Sequence, residues 1–165
     1  MRQQLGDLAG RTVAYVGDYN NVARSLAEIS ALLGMHVRLG CPVGHDADEA
    51  ELERFLLLGA PSVEQTPRPH DAVAGADAVH TDTWVSMGQE ADQEERRKAF
   101  EGFTVDEQMM SAADPGAIFL HCLPAYRGFE VAAEVIDGPR SVVFQQGHNR
   151  LHAARAVLAF LMGVR

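Results

Sequence analysis

The sequence predicts a doubly wound α/β domain, in which helices cover both faces of a mainly parallel sheet of about five strands. Three observations support this fold class. Short apolar segments typical of strands alternate with segments of helical periodicity along the chain. Several strand segments end at a glycine or a polar cluster, and no linker, internal repeat or low-complexity stretch divides the 165 residues. We therefore expect a single domain over residues 1–165, long enough to bury a substantial core.

The first half of the chain is predicted to contain three strands joined by helices. Residues 12–17 favour a strand, and residues 21–33 carry apolar side chains at helical spacing before Gly34. The predicted strands of this half span residues 12–17, 35–40 and 62–66. The predicted helices span residues 21–33, residues 46–59 and a short stretch that ends near residue 74.

The second half continues the alternation and completes a Rossmann-like order of elements. The predicted strands span residues 76–82, 117–121 and 141–145. The predicted helices span residues 104–113, 130–136 and 148–163, and a charged stretch covers residues 89–103. The last helix is apolar around much of its circumference, so it either packs on the sheet or leaves an exposed apolar surface.

Composition disfavours several functions. The chain carries 14 Lys and Arg residues against 23 Asp and Glu residues, a net charge of −9. This balance argues against a nucleic-acid-binding protein, which would need a basic face, although a local pocket can still hold a small anion. Cys41 and Cys122 form no disulfide framework, which favours a reducing compartment. With no apolar signal core and no run of membrane-spanning length, we expect a cytoplasmic protein without a membrane partner.

Four polar clusters each follow a predicted strand. They are "DYNN", "DTWVSMGQE", "HCLPAYRG" and "QQGHNR". The carboxyl ends of parallel strands share one edge of a sheet, so these clusters should converge on a ligand site. Helix capping alone would account for Asp18 or Asn21, but it explains poorly a Trp, a Cys and two Arg residues in such loops.

Several chemistries are disfavoured at this edge. The loop at Asp18 has one glycine where a dinucleotide fingerprint needs three. His121 cannot simply activate Cys122, because adjacent residues of an extended segment point to opposite faces. His148 or His152 remains an alternative partner for the thiol, and a buried cysteine that only packs remains another. No pair of Cys or His residues has zinc-ligand spacing on a suitable turn, and the histidines of "HNRLH" lack the glutamate of a metalloprotease helix, so we expect no metal.

The cluster around Asp82 suits an amino acid. Asp82 offers a carboxylate for an ammonium group, and Ser86 or its neighbouring amides could hold a carboxylate. Trp84 and Met87 taken alone are more typical of packing. Pro124 predicts a rigid, or even cis, Leu-Pro turn that would aim backbone groups at a ligand.

The motifs "GDYNN", "TDTWVSMGQE", "HCLPAYRG" and "HNRLHA", in this order, resemble the ornithine carbamoyltransferase family from about Leu5 to the end of the chain. The combination of "SMG" with "HCLP" separates the ornithine enzymes from their aspartate-using relatives. The resemblance implies transfer of a carbamoyl group from carbamoyl phosphate to the side-chain amine of L-ornithine, with no cofactor. Citrulline and phosphate would be the products.

The resemblance also assigns roles to residues. Those expected to hold the ornithine backbone are Asn21, Asp82, Ser86 and Met87. Cys122 and Leu123 would lie at the reacting amine and the carbamoyl group, and Cys122 would help the ammonium lose its proton. Arg150 would stabilise charge that develops on the carbamoyl oxygen.

Two departures qualify this resemblance. The chain has Gly147 and His148 where the family commonly has Ala and Glu before "NR". Family members are also about twice as long, with an amino-terminal domain whose Ser-x-Arg-Thr-Arg and His-Pro-x-Gln segments are absent here. We therefore expect the ornithine-binding half only, whether a truncated gene product, one part of a split gene or an excised domain.

Such a half should be inactive or impaired alone, because a dianionic phosphate needs the arginines of the other domain. Carbamoyl phosphate would bind only if that domain were supplied, and a missing-half partner or a homo-oligomer is possible. A non-catalytic amino-acid-binding or regulatory module is the main alternative. An enzyme for another amine, such as putrescine, is disfavoured by "SMG". Binding of ornithine but not of putrescine would distinguish the amino-acid-binding module from such an enzyme.

Overall fold

A computed structural model of the chain describes residues 1–85 and 93–164. Five strands alternate with eight helices within these ranges. The strands are β1 (Thr12–Val16), β2 (His36–Gly40), β3 (Val63–Thr66), β4 (Ala78–Thr81) and β5 (Ile118–His121). The helices are α1 (Arg2–Leu5), α2 (Asn21–Leu32), α3 (Glu49–Leu58), α4 (Pro69–Val73), α5 (Gln93–Ala99), α6 (Glu107–Ala112), α7 (Ala133–Ile136) and α8 (Val143–Leu161).

The five strands form one parallel sheet in the order β3-β2-β1-β4-β5. The predicted doubly wound α/β class is therefore confirmed. The chain reverses its direction of travel across the sheet between β1 and β4, which makes that position the topological switch point. Both faces are buried, one under a cluster that includes Phe55 and Ala27 and the other under a cluster that includes Phe119 and Met110.

Local signals explain where the helices of the first half begin and end. The Asn20 side chain accepts from the backbone amides of Val22 and Ala23 and so caps α2. Asp48 caps α3 in the same way, and α3 ends at Gly59, whose φ of 115° suits glycine. These caps set the direction in which α2 leaves the carboxyl edge of the sheet.

The predicted strand over residues 141–145 was wrong. Ser141 makes only an isolated bridge to Phe119, and the chain becomes helical at Val143. A short apolar run such as "VVF" fits a strand or the start of a helix equally well. Only Val143 of this run is fully buried, while Phe144 is 74% exposed, so this segment enters the core as a helix start.

Most of α8 is uncovered in this structure. Its large apolar side chains beyond the first turn are more than half exposed, namely Leu151, Val157, Leu158, Phe160 and Leu161. Of the two outcomes expected for the last helix, the exposed apolar surface is the one observed. Among the described residues, no helix has both the length and the hydropathy that crossing a membrane requires.

Candidate functional site

The candidate site lies at the carboxyl edge of the sheet, across the switch point between β1 and β4. Asn20 follows β1 and Asp82 follows β4. The Asn20 amide nitrogen donates to Asp82 Oδ2 at 2.9 Å, while its oxygen caps α2. The same side chain therefore fixes the start of a helix and joins the two loops that border the switch point.

Three donors converge on the Asp82 carboxylate, whose residue is only 8% exposed. Besides Asn20, the Thr83 amide donates at 2.8 Å and the Cys122 thiol at 2.9 Å. Asp82, Asn20 and Cys122 come from three different strand-to-helix connections. A buried carboxylate at an open sheet edge is suited to pair with an ammonium group.

Cys122 is held as a thiol. Burial, together with the hydrogen-bonded Asp82 carboxylate, raises the pKa of Cys122 to about 12, while Arg150 acts in the opposite direction. A cysteine with this pKa is protonated near neutral pH, so it donates to Asp82 instead of acting as a thiolate.

His121 is not positioned to activate the thiol, in agreement with the sequence analysis. Its Nδ1 accepts from the Leu123 amide at 2.9 Å, and its Nε2 lies 3.2 Å from Glu130 Oε1. Asp82, His121 and Cys122 nevertheless bring their ligand atoms within 4.8 Å of one another. The spacing of residues in the sequence did not reveal this potential metal-ligand set, because Asp82 comes from another strand.

A sharp turn carries Leu123. Leu123 has a φ of 58°, and the Leu123–Pro124 bond is cis, as anticipated for this turn. Glu130, which is almost completely buried, accepts from the Tyr126 amide at 2.6 Å and also contacts His121. One buried carboxylate therefore holds the turn from both sides. Glu130 gave no distinctive signal in the sequence.

Arg96 on α5 links two of the loops at this edge. Its Nε donates to the Trp84 carbonyl at 2.6 Å, and its guanidinium donates to Asp18 Oδ2 at 2.6 Å. The side chain is 12% exposed and lies over the Phe100 ring. Sequence analysis missed Arg96, since a charged helix is ordinarily assigned to the solvent-exposed surface.

Gln146 connects α8 to the sheet. Its oxygen accepts from the His121 amide at 3.1 Å, and its amide nitrogen lies 3.2 Å from His80 Nε2. Burial lowers the pKa of His80 to about 4, so the ring is neutral and Nε2 can accept this hydrogen bond. Arg150 lies one helical turn after Gln146, exposed and close enough to Cys122 to lower its pKa.

The other predicted site residues have mixed positions. Asn21 begins α2 and is exposed, while its neighbour Asn20 makes the contact with Asp82. Leu123 packs partly against the core next to Cys122. Ser86 and Met87 lie outside the described residues. Just before this gap, Trp84 lines a cavity of about 240 Å³ beside the Asp82 cluster. Arg97 and Phe129 also line this cavity.

Comparisons with known proteins identify the relatives of this chain. The sequence profile of the aspartate/ornithine carbamoyltransferase family, Asp/Orn binding domain, matches residues 9–161. An ornithine carbamoyltransferase of Parasynechococcus marenigrum (strain WH8102) is 53% identical over 165 residues, which are 99% of this chain and 52% of that protein. One of Symbiobacterium thermophilum is 51% identical over 97% of this chain and 53% of its own length.

Solved structures extend the likeness to three dimensions. Ornithine carbamoyltransferase from Pyrococcus furiosus superposes with a TM-score of 0.90 at 46% identity, covering 98% of this chain and 53% of its own. The Thermus thermophilus enzyme gives 0.85 at 42% identity, covering 97% and 51%. The chain spans about half the length of the curated relatives it matches. With its matched profile and shared fold, the chain belongs to the aspartate/ornithine carbamoyltransferase family, as an Asp/Orn binding domain.

Proposed function

We propose that this chain supplies the ornithine-binding half of an ornithine carbamoyltransferase active site. The convergence of Asn20 and Cys122 on the buried carboxylate of Asp82 is the observation that carries the proposal. It provides an ammonium-binding group beside a thiol, at the edge where this fold class binds ligands. Relatives that are 53% and 51% identical to this chain are named ornithine carbamoyltransferases, and on this ground we propose ornithine as the substrate.

In this proposal Asp82 pairs with the α-ammonium of ornithine. Asn21, Ser86 and Met87 complete the contacts with the amino-acid backbone, and Asn20 keeps Asp82 in place. The ornithine side chain then points its terminal nitrogen toward Cys122 and Leu123. The two ammonium groups of ornithine fit the acidic and amide side chains of Asp82 and Asn20 at this sheet edge.

The reaction requires the terminal ammonium to lose a proton before it attacks. Its nitrogen then bonds to the carbamoyl carbon, the carbon–oxygen bond to phosphate breaks, and phosphate leaves with the bonding electrons and takes up the second proton that the nitrogen loses. Arg150 stabilises negative charge on the carbamoyl oxygen. Because the pKa of Cys122 is about 12, its thiol orients the amine and passes protons by hydrogen bonding to Asp82, without acting as a thiolate base.

Citrulline formation tests the proposal. The chain alone, incubated with ornithine and carbamoyl phosphate, should give no product above background. Addition of a separately produced amino-terminal half of the Parasynechococcus marenigrum relative should restore activity, and Cys122→Ser should reduce it. Activity of the chain alone would contradict the claim that phosphate binding comes from another domain.

A non-catalytic amino-acid-binding module is the second candidate. Gly147 and His148, which stand where the family commonly has Ala and Glu, favour it, because they change the segment that carries Arg150. Ornithine binding that persists while every mixture with the amino-terminal half remains inactive would identify this second function. Loss of both binding and activity would exclude both candidates.

A further inference from the structure

Two histidines on α8 lie outside the site described above. His148 and His152 are four residues apart, so they share one face of the helix on successive turns. Both side chains are exposed, and their ring centres are 5.0 Å apart with an angle of 79° between the planes. In the part of the chain that the structure describes, neither ring has a hydrogen-bond partner.

This separation matches bidentate metal binding. A metal ion about 2.1 Å from one nitrogen of each imidazole, with a near-tetrahedral angle between the two bonds, places the ring centres about 5 Å apart. An edge-to-face aromatic contact alone could also produce the observed arrangement. It would leave ring nitrogens on both histidines available to an ion, so the two explanations differ in what they predict for metal binding.

The surroundings restrict the kind of ion. No Asp or Glu occurs within α8, so the helix offers imidazole nitrogen without carboxylate oxygen. Calcium and magnesium prefer oxygen ligands, whereas imidazole suits nickel, copper and zinc. The other potential ligand set, Asp82 with His121 and Cys122, differs because both nitrogens of His121 already have partners.

We propose that His148 and His152 form a bidentate surface site for a divalent first-row transition metal, with water completing the coordination. Binding would tie two successive turns of α8 together in the segment that also carries Arg150. It would stabilise this uncovered helix by mass action, because the ion binds only when the helix is formed. This inference is independent of the carbamoyl-transfer proposal.

Nickel(II) titration of the full chain tests the site. Isothermal calorimetry measures the affinity, and broadening of the histidine ring signals in proton NMR locates the ion. His148→Ala and His152→Ala should each weaken binding about a hundredfold, because each removes one arm of a chelate. The matched control is His70→Ala, which removes another exposed histidine and should leave the affinity unchanged.

Cys122→Ser separates this site from the buried ligand set, and it should leave the broadening of both α8 histidines intact. Alanine is compatible with a helix at both histidine positions, and circular dichroism verifies the fold of each variant. Unchanged nickel affinity in both α8 variants would overturn the proposal. So would full affinity in either one, since that would show that a single imidazole accounts for binding.

Discussion

The two sides of the candidate site are built in different ways. On the sheet side, the Asp82 carboxylate is buried and accepts hydrogen bonds from Asn20 and Cys122. On the helix side, Arg150 is exposed on α8, whose first turn is joined to the sheet by the buried Val143 and by the hydrogen bonds of Gln146. The sheet side is therefore preorganised within this chain, while Arg150 lies on a part of α8 that this chain leaves uncovered.

This difference separates recognition from catalysis. A buried carboxylate acts through a medium of low dielectric, so it can bind an ammonium strongly without help from another domain. An exposed guanidinium is screened by water and stabilises charge only weakly. We therefore expect this chain to bind ornithine by itself. We expect catalysis to require another domain that covers α8 and shields Arg150 from water.

The largest effect is expected on the sheet side. Asp82→Asn removes the proposed charged partner of the ornithine ammonium, so affinity should fall more than about a hundredfold, on the order of 3 kcal/mol. Calorimetric titration of ornithine measures the change. Asp48→Asn is the matched control, because asparagine also caps a helix and position 48 serves α3. Equal affinity in wild type and Asp82→Asn would show that the sheet side is not the recognition site.

Acid should weaken the fold through His80, which lies beneath the same edge. Burial lowers its pKa to about 4 from an ordinary 6.5, so the unfolded chain binds more protons between these values. Its stabilising contribution is complete above pH 6.5 and is lost as the pH falls through 4, a change on the order of 3 kcal/mol.

Urea unfolding at a series of pH values measures this dependence. His80→Gln should flatten the curve between pH 6.5 and 4, whereas His70→Gln, at an exposed position, should preserve its slope. A His80→Gln curve parallel to that of the wild type would show that another group is responsible.

Gln146→Leu tests the connection between the two sides. It leaves the buried His121 amide without its acceptor, so the free energy of unfolding should fall by about 1 to 3 kcal/mol. Its neighbour Gln145 is exposed, and Gln145→Leu should change stability by less than about 0.5 kcal/mol. Equal urea midpoints for the two variants would mean that α8 is not anchored through Gln146.

The smallest effect on stability is expected at the far end of α8. Phe160 is 82% exposed, so Phe160→Ser should alter the free energy of unfolding by less than about 0.5 kcal/mol. It should nevertheless reduce self-association in sedimentation velocity, because it interrupts an exposed apolar surface. Leu57→Ser, at a comparably exposed position on α3, is the control. Identical sedimentation of both variants would contradict the expectation that the exposed apolar surface of α8 promotes self-association.

Sequence periodicity predicted the strands of the parallel sheet, but it also predicted a strand at residues 141–145 that does not form. The alternation of apolar strands and helices predicted the parallel order, because each parallel strand needs a crossover. It failed at residues 141–145, where "VVF" has no alternation to distinguish a strand from a helix start. Val143 is buried and its neighbour Phe144 is exposed because of how this segment packs in the tertiary structure, and a short apolar run does not reveal that packing.

The candidate site shows the same limit. The motifs identified Asp82 and Cys122 as members of one edge, and the structure brings them within hydrogen-bonding distance. They did not distinguish Asn20 from Asn21, because only the geometry of the helix cap decides which amide faces Asp82. Arg96 was missed because its partners Asp18 and Trp84 are distant in sequence.

A comparison of ornithine with putrescine tests the central claim most directly. Both ligands carry the reacting amine and a second ammonium group, but only ornithine has the α-carboxylate that Asn21, Ser86 and Met87 are proposed to help recognise. Calorimetric titration of the chain alone should detect ornithine and give at least a tenfold weaker response to putrescine, a difference of about 1.4 kcal/mol. Equal binding of both, or binding of neither, would contradict the account.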